Sequence, residues 1–193
     1  MRKQAPNVCF LMETRLDRSG FEKHCGDVPF KNKLIVKKPN SGGGLALLWK
    51  EEVTLDVINF TDNHILAKVV ENDGFMWHLT GFYGWPEANE KWKLWALLSH
   101  LRTLVKGPWC CIDDFNAILH TSEKQSVNAP DYNQMEDFWV ALENYELTDL
   151  GFIRHKFTWT NRRPGSAHTK QQLDRVTANK GWIEKFLASS VSH

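Results

Sequence analysis

The chain has 193 residues, of which 42% are hydrophobic and 24% are charged, and this composition predicts one domain with a sizeable core. A net charge of +1 excludes a globally basic protein, so any affinity for nucleic acid must come from a local patch. The four cysteines show no Cys-x-x-Cys spacing, and no secretion signal or membrane span is evident, which favours reduced thiols in an intracellular, nuclear or cytoplasmic protein.

The first half of the chain has the pattern of short strands joined by turns. Segments rich in β-branched or aromatic residues alternate with Gly, Asn and Asp, which is typical of hairpins. The predicted strands are 8–12, 33–37, 45–49, 53–60, 65–70 and 75–82. The run Gly42-Gly43-Gly44 lacks a following Gly-Lys-Ser/Thr, so it predicts a turn rather than a phosphate-binding loop.

After Pro86 the hydrophobic period changes to spacings of three and four. This predicts an amphipathic helix that buries Trp92 and Trp95, a second helix after Pro130 that buries Trp139, and a short third helix near Trp182. Further strands are predicted at 156–160 and 172–176, and a surface loop at 120–130. Helices between strands indicate an α/β fold, but periodicity does not decide between one sheet and two.

The stretch 108–116 is an apolar run that ends in acidic and amide side chains, in the order Asp113, Asp114, Phe115, Asn116. Alternation along a strand places Asp114 and Asn116 on one face and Phe115 on the other. A carboxylate and an amide held at a strand end suit a divalent cation, an attacking water or a phosphate oxygen. Asp-x-Asn after a strand is also common turn chemistry, and alone it favours the turn.

Three other predicted strands also end in a polar group, namely Glu13, Tyr83 and Asp174. Each alone has an ordinary structural explanation: a solvated glutamate, a packed tyrosine, and an aspartate paired with Arg175. Their joint occurrence with the Asp114 and Asn116 pair, in this order along the chain, favours a shared site.

This ordered set resembles the endonuclease/exonuclease/phosphatase superfamily, and especially the apurinic-type endonuclease domains of plant non-LTR retrotransposons, which accompany a reverse transcriptase. The similar motifs run over nearly the whole chain. They are Phe10-Leu11-Met12-Glu13-Thr14, Gly43-Gly44-Leu45-Ala46, Gly81-Phe82-Tyr83-Gly84, residues 109–119, Lys156-Phe157-Thr158-Trp159-Thr160-Asn161 and Leu173-Asp174-Arg175.

The resemblance implies an α/β (α+β) fold in four layers, a two-sheet β-sandwich flanked by helices, with residues 1–193 as a single partial domain. It also implies a hydrolase of phosphodiester bonds that depends on Mg²⁺ or Mn²⁺. Glu13 would bind the metal, Asp114 would orient or deprotonate the attacking water, and Asn116 and Tyr83 would hold the phosphate. Asp174 matches the residue that orients a catalytic histidine in the family.

Two departures from the family pattern lower the expected activity. The chain stops at His193, before the family's Ser-Asp-His segment, and starts after its first strand, so we expect a fragment with weak or no turnover. Asp113 stands where the family has Gly. Alternation turns it toward the packing around Phe115, where an unpaired carboxylate would be costly, unless it lies at an exposed strand end.

A basic patch is predicted from Arg162, Arg163, Lys170 and Arg175. Two interpretations are open. These residues could contact the backbone phosphates of duplex DNA, or they could belong to a solvated loop that carries several charges. Four of the eight histidines, at 24, 120, 155 and 168, lack metal-ligand spacing. Besides a DNA endonuclease, the sequence permits a non-catalytic nucleic-acid-binding remnant or a product without selected activity.

Overall fold

The computed structural model describes residues 6–25, 28–38 and 43–193, with the backbone but not the side chain of Asp113. Gly42 of the predicted turn and the Asp113 side chain therefore lie outside the described part. The chain groups into two units, Met1–Tyr83 and Gly84–His193. That residues 1–193 form a single domain remains a prediction, which this grouping into two units does not test.

The first unit is built from antiparallel strands. Strands β1, β2 and β3 form a three-stranded sheet in the order β1-β3-β2, and β4, β5 and β6 pair in chain order. The elements are β1 Val8–Leu11, α1 Arg18–Cys25, β2 Asn32–Val36, β3 Leu45–Trp49, β4 Thr54–Thr61, β5 His64–Val70 and β6 Met76–Tyr83. All six strands were predicted within one residue at each end, whereas α1 was not, because its buried side includes only Phe21.

A close contact between β1 and β6 fixes the two sets of strands in this unit. A Cβ atom added to Gly81 of β6 would lie 2.4 Å from ring carbon Cδ2 of Phe10 on β1. The absent side chain lets the phenyl ring lie against the β6 backbone. The contact lies close to the ends of both strands. Tyr83 is the last residue of β6, and Glu13 lies two residues after β1.

The second unit alternates helices with strands. Strand β12 lies between β7 and β9, antiparallel to both, and β8, β10 and β11 form a small sheet in the order β10-β11-β8. The elements are α2 Lys91–Leu104, β7 Trp109–Asp114, β8 Lys124–Gln125, α3 Tyr132–Asn144, β9 Thr148–Asp149, β10 Trp159–Thr160, β11 Lys170–Gln171, β12 Asp174–Ala178 and α4 Lys180–Lys185.

Helix α3 begins where Asp131 caps it. The Asp131 carboxylate accepts hydrogen bonds from the backbone N–H groups of Asn133 and Gln134, which would otherwise lack partners in the first turn. Phe138 of this helix is fully buried, and its ring lies 4.9 Å from that of Phe115 and 5.3 Å from that of Trp95. This aromatic stack forms a core beneath the end of β7.

Two of the predicted buried tryptophans are exposed. Trp92 is 62% exposed and Trp139 is 50% exposed. The buried face of α2 carries Leu94, Leu98 and Leu101. Trp92 is two residues before Leu94, and residues two apart on a helix point to different sides, so its side chain is exposed. The predicted surface loop 120–130 is also more structured than expected, since Glu123 within it is buried.

Antiparallel sheets with flanking helices confirm the predicted α/β (α+β) class. Within the part of the chain that is described, no helix has the length and apolar character needed to cross a membrane. All four cysteines are free thiols.

Candidate active site

Glu13 and Tyr83 meet in the first unit although they are far apart in sequence. Glu13 follows β1 and Tyr83 is the last residue of β6, and the Tyr83 hydroxyl donates a hydrogen bond of 2.6 Å to Oε1 of Glu13. Glu13 adopts a left-handed backbone conformation with φ of 50°. Such a conformation is uncommon for a residue with a side chain and recurs at functional sites.

The glycine turn holds the segment that carries Glu13. The backbone N–H of Thr14 donates to Gly44 O at 3.2 Å, and that of Arg15 donates to Gly43 O at 3.1 Å. Gly44 has φ of 123°, and a Cβ atom there would lie 2.8 Å from Thr14 Oγ1. Only glycine fits this approach without displacement, so Gly43 and Gly44 hold the segment that carries Glu13.

Asn63 fixes the backbone of Tyr83, and sequence reasoning missed it. The Tyr83 N–H donates to Asn63 O at 2.9 Å, and the Asn63 amide donates to Tyr83 O at 2.9 Å. Asn63 is 7% exposed in the turn between β4 and β5. Lys38 was also missed, and its ammonium lies 6.0 Å from the centroid of the Tyr83 ring.

Asp114 and Asn116 lie at the end of β7 in the second unit. The Asn116 N–H donates to Asp114 Oδ1 at 2.8 Å, so the turn that the sequence allowed is present. Phe115 between them is fully buried against Phe138. The buried ring anchors the strand end while both polar side chains remain half-buried.

The segment after Tyr83 is bonded to this strand end. The Gly84 N–H donates to Asp114 O at 3.0 Å, and the Asn116 amide donates to Gly84 O at 3.4 Å. A Cβ atom on Gly84 would lie 2.8 Å from Asp114 O. The absence of a side chain at Gly84 therefore permits the backbones to approach.

Lys91, the first residue of α2, also contacts the strand end. Its ammonium donates to Trp85 O at 2.7 Å and to Asn116 O, and the residue is 7% exposed. Burial lowers the pKa of Lys91 from 10.5 to about 8, while the negative charges of Asp114 and Glu87 act in the opposite direction. Sequence reasoning missed this residue, although its spacing from Leu94 and Leu98 places it on the apolar face of the helix.

Asp174 faces Asp114 across the sheet of the second unit. The two residues are direct partners in the antiparallel pairing of β12 with β7. The Thr158 hydroxyl accepts hydrogen bonds from the backbone N–H groups of Leu173 and Asp174 at 3.0 and 3.1 Å, which holds the start of β12. Among the described residues, no histidine forms a hydrogen bond with Asp174.

The predicted basic patch loses one member. Arg175 is 2% exposed, and its guanidinium forms ion pairs with Glu123, at 2.7 Å, and with Asp149. It also lies 5.3 Å from the ring of Phe138. Because Arg175 follows Asp174 on a strand, its side chain points to the opposite face, into the core, and so it is not free to contact a DNA phosphate or to pair with Asp174.

The other three members lie around the small sheet. Arg162 and Arg163 are exposed in the turn after β10, and Lys170 is half-buried on β11. Asn161 organises this turn, since its Oδ1 accepts from the backbone N–H groups of Arg163 and Thr169. Lys170 also borders a cavity of about 290 Å³ beside Trp159.

The structure thus brings the candidate residues together in two sets, each within its own unit. Glu13 and Tyr83 form the first set, and Asp114, Asn116 and Asp174 form the second. In the described residues, no group of three or more His, Cys, Asp or Glu side chains could hold a metal ion. Glu13 is exposed, so its carboxylate suits a cation that keeps most of its waters, as Mg²⁺ does.

Comparison with known proteins supports the fold. No family model matches the sequence, and no curated protein matches it. Solved structures do match. The endonuclease domain of TRAS1, a telomere-specific non-LTR retrotransposon, has a TM-score of 0.61 at 12% identity, over 79% of this chain and 68% of that one. The chain has an endonuclease/exonuclease/phosphatase-type fold.

Two further structures support the same conclusion. The 3′-5′ exonuclease NExo from Neisseria meningitidis has a TM-score of 0.62 at 13% identity, over 92% of this chain and 78% of that one. The human nocturnin catalytic domain, solved with a sulfate anion, has a TM-score of 0.57 at 14% identity, over 91% and 69%. At these identities the similarity establishes the fold, and it is a fold shared with nucleases.

Proposed function

We propose that this chain is a Mg²⁺-dependent phosphodiester hydrolase that nicks DNA, with weak turnover because no histidine among the described residues is bonded to Asp174. The observation that carries the proposal is the hydrogen bond between Tyr83 and Glu13, two candidate residues 70 positions apart in sequence. This bond brings together two strand ends that the motif order had nominated independently. A carboxylate and a phenol held together are suited to a metal-bound phosphate.

Each candidate residue has a chemical task in this proposal. Glu13 would hold Mg²⁺ or Mn²⁺, which when bound supplies positive charge to the phosphate oxygens. Asp114 would orient or deprotonate the attacking water, because its carboxylate is half-buried and fixed at a strand end. Asn116 and Tyr83 would hold the phosphate, and Asp174 would orient a catalytic histidine, as its position in the family motif implies.

DNA is the proposed substrate. NExo, one of the proteins of the same fold, has been solved bound to a product DNA hairpin, and TRAS1 is a retrotransposon endonuclease. The order of motifs along this chain agrees with a retrotransposon origin. Such an enzyme would act inside the cell, where DNA lies and where free cysteines remain reduced.

The test is nicking of supercoiled plasmid by the purified protein with Mg²⁺. We expect relaxed circles to form slowly with the wild-type chain, and none to form when the metal is chelated beforehand. Glu13→Gln and Asp114→Asn should each lower the rate by about a hundredfold or more, since each removes a charged group that acts on the reacting phosphate.

Glu51→Gln and Asp56→Asn are matched controls, because both carboxylates are largely exposed and pair with surface lysines. They should nick at the wild-type rate. Equal nicking by the Glu13, Asp114 and control variants would show that neither carboxylate carries the activity, and would reject the assigned roles.

A non-catalytic nucleic-acid-binding protein is the second candidate function. It is favoured by the exposure of Arg162 and Arg163 in one turn and by the lack, among the described residues, of a histidine bonded to Asp174. It predicts binding to duplex DNA without cleavage. Mg²⁺-dependent nicking that Glu13→Gln abolishes would exclude it.

A further inference from the structure

Lys91 occupies a position where helix periodicity favours an apolar side chain. It lies three residues before Leu94 and seven before Leu98 on the buried face of α2, and it is 7% exposed. Lysine is almost never this buried unless its charge has partners, because removing an ammonium from water is costly. The helix therefore carries a buried cation that its packing does not require.

The partners of this cation are two backbone carbonyl groups from separate segments. The ammonium donates to Trp85 O, at 2.7 Å, and to Asn116 O. Trp85 follows Tyr83 by two residues, and Asn116 follows Asp114 by two. One side chain thus ties the segment after β6 to the segment after β7.

Asn116 needs such a restraint. Its φ of 49° is left-handed, a conformation that a residue with a Cβ atom adopts only at some cost. The hydrogen bond from its N–H to Asp114 Oδ1 holds one side of its peptide, and Lys91 holds its carbonyl on the other. The orientation of the Asp114 carboxylate depends on the same turn.

We propose that Lys91 is a positioning residue for the proposed reaction, whose bonds to Trp85 O and Asn116 O set the conformation that directs Asp114 and Asn116. It touches neither substrate nor metal, and it acts through the backbone. The expected effect on turnover rests on the proposed function. The positioning of the Asn116 turn rests only on the hydrogen bonds from Lys91 to Trp85 O and Asn116 O. Loss of the cation frees the Asn116 carbonyl while the hydrophobic face of α2 stays packed.

The experiment compares Lys91→Met, which keeps the length of the side chain but removes the charge and the donor, with Lys91→Arg, which keeps both. Lys93→Met is the matched control, because Lys93 lies on the same helix and pairs with the Glu90 side chain. Two readouts are taken: kcat and KM for plasmid nicking, and hydrogen exchange of the backbone amides of Asn116 and Gly84 by NMR. These two amides report the turn directly, since both donate to Asp114.

We expect Lys91→Met to lower kcat by about 10- to 100-fold with little change in KM, as loss of a supporting group typically does. The Asn116 and Gly84 amides should exchange about tenfold faster or more, while the amide of Cys111 in the middle of β7 changes little. Lys91→Arg should restore most of kcat, and Lys93→Met should match the wild type.

Three outcomes would overturn the proposal. Lys91→Met could leave kcat and both amides at wild-type values, or it could speed exchange equally throughout β7, which would mean a general loss of stability. If Lys91→Met does not fold, a folded Lys91→Arg with fast exchange at Asn116 would refute the role of the ammonium. A wild-type chain that does not nick would refute the proposed function, and the exchange rates alone would then decide on Lys91.

Discussion

The buried charge of Lys91 shows at the residue scale how a site and the stability of its fold can conflict. The Lys91 ammonium has lost its hydration and gained hydrogen bonds to two carbonyl groups. Its pKa of about 8, below the usual 10.5, means that these bonds do not fully compensate for the lost water. A methionine at this position would remove the cost of burying a charge. A lysine at this position is explained by the hydrogen bond that it donates to the carbonyl group of Asn116.

The titration of Lys91 should appear in the stability of the protein. Its pKa is about 8 in the folded chain and near 10.5 when unfolded, so the unfolded chain binds more protons between these values. The free energy of unfolding should therefore rise with pH from about 8 to 10, by on the order of 1–2 kcal/mol from this group. At pH 7 and below the group is charged in both states and contributes almost no pH dependence.

Urea denaturation at several pH values checks this expectation, with Lys91→Met as the reference that subtracts all other titrating groups. The difference in free energy of unfolding between the wild type and Lys91→Met should change across pH 8 to 10 and stay constant from pH 6 to 7. A constant difference throughout would mean that Lys91 titrates in solution as an ordinary exposed lysine.

At the scale of elements, the ends of β1 and β6 are placed by the packing of Phe10 on Gly81. Because the phenyl ring occupies the space where a side chain would project from Gly81, the two strands cannot separate without opening a gap beside the ring. Glu13 lies three residues after Phe10, and Tyr83 lies two after Gly81. The geometry of the hydrogen bond between Glu13 and Tyr83 therefore depends on this packing.

Gly81→Ala tests that dependence. The new methyl group would overlap the ring of Phe10, and we expect the free energy of unfolding to fall by about 2 kcal/mol or more. Urea denaturation measures the change. Gly181→Ala in α4 is the control, since the nearest atom to a Cβ there would lie at 3.5 Å, and it should be neutral or stabilising. A Gly81→Ala protein as stable as the wild type would show that the strands can shift apart.

The elements also show how far sequence reasoning reaches. Runs of β-branched and aromatic residues between turn residues located the six strands of the first unit, and strand ends nominated Glu13, Tyr83, Asp114 and Asn116. Arg175 was misplaced because a charged residue beside a polar loop suggests exposure, whereas its partners Glu123 and Asp149 lie 52 and 26 residues away. Asn63 and Lys91 escaped notice for a similar reason: their partners are backbone carbonyls, which leave no mark on the sequence.

For the molecule as a whole, electrostatics favour a local mode of DNA binding. The net charge of +1 gives no general attraction to a polyanion, so affinity must come from groups such as Arg162, Arg163 and Lys170. With Arg175 in the core, the predicted patch offers fewer cations to the phosphates. We therefore expect weak, sequence-independent binding that depends on salt.

The salt dependence provides the measurement. The logarithm of the association constant for a short duplex should fall linearly with the logarithm of salt concentration. Replacing both Arg162 and Arg163 with Gln should reduce the slope by about 2, roughly one unit for each arginine that no longer neutralises a phosphate. Lys180→Gln, which removes a charge that is 88% exposed, should leave the slope unchanged. An unchanged slope in the double variant would exclude this turn from the DNA interface.

The left-handed backbone at Asn116 has an evolutionary consequence. Glycine adopts φ near 49° at less cost than asparagine, so Asn116→Gly would ease the local strain while deleting the amide. Laboratory selection for heat resistance alone would favour that exchange, and selection for DNA cleavage would oppose it. The identity of residue 116 in evolved populations would therefore record which of the two pressures had acted.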